Sequence, residues 1–214
     1  MATLTTFLFD LDGTILDSIG HILDSYRHTF AVHGLPPAPE EELVRGIGTP
    51  LRSQLAKQAS DPALLDALVA TYREYNLKYH DERIFPYPGV VEAIRAIRAA
   101  GRRTGLVTSK NRQGALRGLQ LAGLQYEIDV VVGCDEVENP KPHREPVDKA
   151  VALLGADPAT TVYVGDSVHD MRCGRAAGVR TAAALWGPFT RGDLAPTEPD
   201  YWLERPADLL RLLA

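Results

Sequence analysis

The chain has 214 residues, 45% of them apolar and 24% charged. Those proportions exclude a disordered or fibrous protein and suit one sizeable core with room for an inserted subdomain. Lys and Arg number 23 against 28 Asp and Glu, a formal charge of −5 that argues against a nucleic-acid partner yet allows a small anion in a local positive pocket.

Residues 4–9 form a short apolar run that stops at Asp10 and turns at Gly13. That is the pattern of a fully buried strand with carboxylates at its tip. Residues 15–32 follow a helical period, ended by Gly34, Pro36 and Pro37. From about residue 39 to residue 79 the period is helical only, in segments 40–44, 51–58 and 62–79, with Gly46-Ile47-Gly48 as a break. The cluster Phe85-Pro86-Tyr87-Pro88-Gly89 reads as a linker or hinge. Helices are then expected at 90–100, 113–122, 145–154 and 168–177, alternating with strands at 104–108, 130–133, 161–165 and 180–185. A short edge strand at 201–203 and a helix from Ala207 complete the chain.

Strands alternating with helices of this length imply parallel βαβ units. The fold class is therefore α/β, a Rossmann-like parallel sheet. The helical block after the first strand does not fit that rhythm. It is expected to be an inserted all-helical subdomain, residues 17–81, on a core of residues 1–16 and 82–214. Cys134 and Cys173 are too few for a disulfide framework and suit structural thiols in a reducing compartment. No apolar run approaches the ~18 residues of a membrane span, and no signal-peptide pattern opens the chain. A cytoplasmic protein without a membrane or nucleic-acid partner is the expectation; monomer and homodimer stay equally open.

An open parallel sheet binds ligands beyond the carboxyl ends of its strands. The expected strand tips carry Asp10-Leu11-Asp12-Gly13-Thr14, Thr108-Ser109-Lys110 and Gly165-Asp166-Ser167, with Asp170 beyond; Asn139-Pro140-Lys141-Pro142 follows another strand. Four carboxylates brought together repel unless a cation sits among them, and a hard divalent ion such as Mg2+ suits oxygen ligands. Thr108 and Lys141 form a donor set suited to phosphoryl oxygens. A carboxylate can attack phosphorus, and one two residues along can handle the proton. The Gly46-x-Gly48 pair is not a dinucleotide fingerprint, since Leu51 fills the third position and no strand precedes it.

These four segments, in this order and spacing, resemble the motifs of the haloacid dehalogenase superfamily across essentially the whole chain. The resemblance implies an HAD-like core, and the helical insertion resembles the type 1 cap of the phosphoglycolate phosphatase-like group. The dehalogenase branch lacks the carboxylate at Asp12, so its presence implies phosphoryl transfer. Asp10 is implied as nucleophile and metal ligand, and Asp12 as general acid/base whose backbone carbonyl reaches the metal. Thr108 is implied to bind the phosphoryl group and Lys141 to stabilise charge on Asp10 and the phosphoryl oxygens. Asp166 is an implied metal ligand; Asp170 is implied to act through metal-bound water or Lys141. Ser109 joins the expected substrate-binding set.

A closer likeness is to the bacterial inorganic pyrophosphatases of this superfamily. It is carried by Tyr72-Arg73-Glu74-Tyr75-Asn76, His80-Asp81-Glu82, Glu145-Pro146-Val147, Gly165-Asp166-Ser167-Val168-His169-Asp170 and Glu198-Pro199-Asp200-Tyr201-Trp202-Leu203. The chain departs from that pattern at His143-Arg144, where the family continues Asp-Pro. In this family the loop at Gly46-Ile47-Gly48-Thr49-Pro50 faces the active site, so Gly48 and the flanking Arg45 and Arg52 are candidate substrate contacts. The reading implied is a Mg2+-dependent phosphatase acting on pyrophosphate. 2-Phosphoglycolate is the alternative substrate, a β-phosphoglucomutase-like phosphomutase a further one, and a binding protein on an inactive scaffold the alternative from another class.

Overall fold

The computed structural model describes residues 3–214; Met1 and Ala2, at the head of the expected core segment 1–16, lie outside the described residues. The elements run β1 (Thr6–Phe9), β2 (Leu16–Asp17), α1 (Ile19–Val32), α2 (Glu40–Gly46), α3 (Leu51–Leu55), α4 (Pro62–Arg83), β3 (Phe85–Pro86), α5 (Val90–Ala99), β4 (Arg103–Val107) and α6 (Arg112–Leu121). They continue with β5 (Val130–Val132), α7 (Glu145–Leu154), β6 (Thr161–Gly165), α8 (Val168–Ala177), β7 (Arg180–Ala184), α9 (Arg191–Leu194) and β8 (Tyr201–Leu203).

Six strands form one parallel sheet in the order β5-β4-β1-β6-β7-β8. β1 is central, with β4 on one side and β6 on the other. The chain reverses its direction of winding here, and the loops after these three strands splay apart into a crevice. β1 is apolar at every position but its first because both faces of the sheet are covered. Phe7 and Phe9 pack into one cluster with Leu106, Val164 and Ile94, while Leu8 packs into the opposite one with Val107, Tyr163 and Val147. Burying a side chain of this size contributes about 1.5–3 kcal/mol.

Helices α1–α4 share a cluster of their own, built on Ile22, Tyr26, Leu55, Leu68 and Tyr72. The helical insert therefore has its own apolar centre rather than borrowing the sheet's.

Three expectations change. The helix expected from residue 15 begins at Ile19, because Leu16–Asp17 instead pairs antiparallel with Phe85–Pro86. The Pro-rich segment read as a linker is thus one strand of a small ribbon, placed where the chain leaves and re-enters the core. The expected last helix is a 3-10 helix, Pro206–Leu213. No helix among the described residues is long and apolar enough to cross a membrane.

Candidate active site

Asp10 follows the last residue of β1, its backbone N–H donating to Val164 O at 2.9 Å. Lys141 is buried against it. Its Nζ donates to Asp10 Oδ1 at 2.8 Å, to Asp170 Oδ1 at 2.7 Å and to the Tyr163 hydroxyl at 2.9 Å. That hydroxyl lies 2.8 Å from Val107 O and 2.9 Å from Asp170 Oδ1, one of which takes its single proton. Asp170 Oδ2 accepts from the Ser167 N–H at 3.0 Å and its hydroxyl at 2.5 Å, a reciprocal cap on α8. All three ammonium protons of Lys141 thus have acceptors, which fixes the charge in place. Burial works against its charged form, but Asp10 and Asp170 outweigh that and hold its pKa above the ordinary lysine value.

Asp166, at the tip of β6, accepts from the Thr14 hydroxyl at 2.6 Å through Oδ1. Its Oδ2 is buried without a hydrogen-bond partner. Asp10, Asp166 and Asp170 each offer an oxygen, and these atoms lie within 4.8 Å of one another. Burial, with Asp170 and Asp10 adding repulsion, drives Asp166 well above the usual carboxylate range. Burial likewise pushes Asp10 up to about 7 against the pull of Lys141, and Asp170 adds to the rise.

Gly13, at φ +87°, leaves the space beside Asp166: a Cβ there would stand 2.4 Å from Asp166 Oδ2. An orphaned buried carboxylate oxygen, hard oxygen donors and a kept space fit a divalent cation. Asp10 and Asp166 have coordination capacity to offer. Both oxygens of Asp170, expected among the metal ligands, already accept hydrogen bonds, from Lys141 and from Ser167.

Asp12 behaves differently. Lys110 Nζ lies 2.8 and 2.9 Å from its two oxygens, and the Ser18 hydroxyl donates to Oδ1 at 2.7 Å. Burial would raise this carboxyl, but the Lys110 charge and these hydrogen bonds together hold it below the usual value. Its carboxylate therefore stands outside the acidic trio, and any part in holding metal falls to its backbone carbonyl. Thr108 is buried at the tip of β4, its hydroxyl accepting from the Lys110 N–H at 3.2 Å.

A cavity of about 100 Å³ is bounded by Asp10, Asp12 and Thr108 from the core and by Ile47, Gly48 and Thr49 from the insert. The Ser109 hydroxyl donates to Gly48 O at 2.6 Å, tying the two together. Gly48 has φ +95°, and a Cβ there would lie 2.8 Å from the Ser167 hydroxyl oxygen. The break between α2 and α3 thus faces the site as expected. The flanking arginines are elsewhere. Arg45 pairs with Glu41 one turn back on its own helix and is 74% exposed; Arg52 pairs with Asp66 on α4. Neither borders the cavity that holds Asp10. Sequence neighbours of the loop, they are sent outward by their helices and have carboxylate partners within reach.

Four residues of this arrangement carry no assigned role in the sequence reading: Thr14, Ser18, Lys110 and Tyr163. Thr14 and Lys110 lie inside the motifs and could have been found there. Ser18 and Tyr163 are ordinary helix-cap and core-strand residues until the fold turns their hydroxyls inward.

Residues 7–184 match the family model for haloacid dehalogenase-like hydrolases, and the chain belongs to that family. It is 38% identical over 210 residues to the pyrophosphatase PpaX of Anoxybacillus flavithermus, covering 98% of this chain and 97% of that one. It is 38% identical over 212 residues to the PpaX of Halalkalibacterium halodurans, again covering 98% and 97%. Among solved structures, a predicted phosphoglycolate phosphatase from Haemophilus somnus superposes with a TM-score of 0.90 at 23% identity, covering 100% of both chains. A haloacid dehalogenase-like family hydrolase from Streptococcus pneumoniae superposes with a TM-score of 0.87 at 24% identity, also covering 100% of both. The fold is thus the HAD-like one, and the protein is a phosphohydrolase.

Proposed function

We propose that this protein is a Mg2+-dependent phosphatase that works through a phosphoryl group carried on Asp10, with inorganic pyrophosphate as substrate. The observation that carries the reading is the buried Asp10–Lys141–Asp170 group at the central strand tip, beside an orphaned Asp166 oxygen. The substrate rests on the likeness to the PpaX pyrophosphatases and on a cavity of about 100 Å³, which suits a compact anion.

Asp10 and Asp166, with the Asp12 backbone carbonyl, would hold the metal. Bound there, it supplies positive charge that keeps both carboxylates ionised and draws in phosphoryl oxygens. Lys141 holds Asp10 Oδ1, which aims the other oxygen at phosphorus. Oδ2 forms the new bond as the bond to the departing phosphate breaks. Held ionised beside Lys110, Asp12 serves as the base that takes a proton from the water attacking the phosphorus of phospho-Asp10, while the departing phosphate leaves as an anion. Thr108 donates to an equatorial oxygen as charge develops, and Lys141, its protons held by Asp10, Asp170 and Tyr163, adds positive charge beside it. Residues 17–81 act as a cap swinging on the β2–β3 ribbon, and closure excludes bulk water.

The test is a panel at fixed Mg2+ comparing kcat/KM for pyrophosphate, 2-phosphoglycolate, sugar phosphates and an aryl phosphate. Pyrophosphate is expected to lead. A higher kcat/KM for 2-phosphoglycolate would replace the substrate while leaving the reaction class standing. Exchange between glucose phosphate isomers without phosphate release would mark a mutase.

A further inference from the structure

Beside the reaction cavity lies a second one of about 630 Å³, between α3 and α4 of the insert and α6 of the core. That volume falls in the range of about 300–1,000 Å³ usual for small-molecule sites. The two cavities share Leu51, Ser109 and Lys110. Two of these residues are bonded in place, Ser109 of the core to Gly48 O of the insert and Lys110 to both oxygens of Asp12. The larger chamber therefore adjoins the place where phosphorus is attacked, with these three side chains between the two.

Its walls have two characters. Leu77 of α4 and Leu116 of α6 are 47% and 43% exposed, yet both border the chamber. Pyrophosphate has no carbon surface to cover them. The polar part is cationic: Arg52, Arg73, Lys110 and Arg117 line it, and no Asp or Glu does. Arg52 and Arg117 have outside partners in Asp66 and Asp81, whereas Arg73 makes no ion pair among the described residues. His80, on the same wall, is 1% exposed; Nδ1 is 2.7 Å from Asp81 Oδ1, and Nε2 is buried with no partner. Asn111 and Gln113 at the start of α6 add polar side chains, while N–H groups of that helix end already bond to Asn111 Oδ1 and Asp135 Oδ1.

We infer that this chamber is a binding site, separate from the reaction cavity, for an organic anion with an apolar body. The leucines cover the body, while Arg73 and Lys110 meet the charge. Such an occupant competes with Asp12 for Lys110, so binding in the chamber reaches the reaction cavity through one side chain. The proposal goes beyond the pyrophosphatase reading and does not depend on it, because binding is measured without turnover.

The probe is naphthalene-1-sulfonate, titrated into the full chain without metal or substrate and followed by calorimetry. One-to-one saturable binding is expected. Arg73→Glu and Leu116→Glu should each weaken it by about tenfold or more, with melting temperatures kept close to wild type because both side chains are exposed. Orthophosphate should not displace the probe. Absence of saturable binding to wild type, unchanged affinity in either variant, or displacement by orthophosphate would each overturn the inference, the last by placing the probe in the reaction cavity. If a glutamate variant melts early, Arg73→Ala and Leu116→Ser carry the same test.

Discussion

Lys141 shows how one side chain can hold a site together. It sits between two buried carboxylates and satisfies both, so removing it leaves two like charges facing each other without a cation. Breaking such a buried group costs about 3–5 kcal/mol. Lys141→Ala is therefore expected to lower the unfolding free energy by that order in urea denaturation and to abolish turnover. Unchanged stability would show that Asp10 and Asp170 do not depend on it. Asp10→Asn differs in kind: it removes a charge that burial already disfavours and leaves Asp170 for Lys141. Turnover should vanish while the melting temperature holds or rises. At this scale the sequence was most legible. Asp10, Thr108, Lys141 and Asp166 stand together at one edge of the sheet because motif spacing and strand order determine that edge. The hydroxyls of Ser18 and Tyr163 were not legible, since nothing local distinguishes an inward hydroxyl from an ordinary one. Arg45 and Arg52 flank the loop in sequence, but the helices that carry them present them to Glu41 and Asp66 instead.

Among elements, the contact between α4 and α6 has a titratable latch. Asp81 of α4 receives two bonds of 3.0 Å from Arg117 of α6 and one of 2.7 Å from His80. The Arg117 bond, then the His80 bond, lower its pKa to about 2. A carboxyl depressed in the folded state stabilises above its unfolded pKa of about 3.9. That contribution is lost as pH falls towards the folded value. The melting-temperature gap between wild type and Asp81→Asn should thus be constant at neutral pH and shrink below about pH 4. The gap should be small throughout, because Asp81 is largely exposed. A gap that widened on acidification would contradict the assignment.

The loop between α2 and α3 gives a second expectation. Gly48→Ala adds a Cβ against Ser167 at a φ that L-residues disfavour by roughly 1–2 kcal/mol. Pyrophosphate kcat/KM should fall while the core stays folded, which circular dichroism would check. Element types and order were largely readable because strand and helix periods differ. The β2–β3 ribbon was hidden, since two residues per strand carry no period and Pro86 reads as a breaker.

The whole molecule joins a parallel sheet that carries the charges to a helical unit with its own apolar centre. The carboxylate edge is expected to need a divalent cation. Chelation of metal-stripped protein should abolish turnover, and added Mg2+ should restore it. Calcium should inhibit, because its larger and looser shell misplaces the nucleophile. Full turnover in excess chelator would remove the metal from the account.

The central claim is that phosphorus passes through Asp10. Asp12→Asn slows the second step, where a base is needed, more than the first when the leaving group is a good one. Mixing this variant with p-nitrophenyl phosphate and Mg2+, then quenching in acid, isolates the intermediate. A burst of one nitrophenolate per protein is expected, with a phosphoryl group on the peptide containing Asp10, read by mass spectrometry. A phosphoryl group on any other side chain, or release of nitrophenolate without a burst, would contradict it.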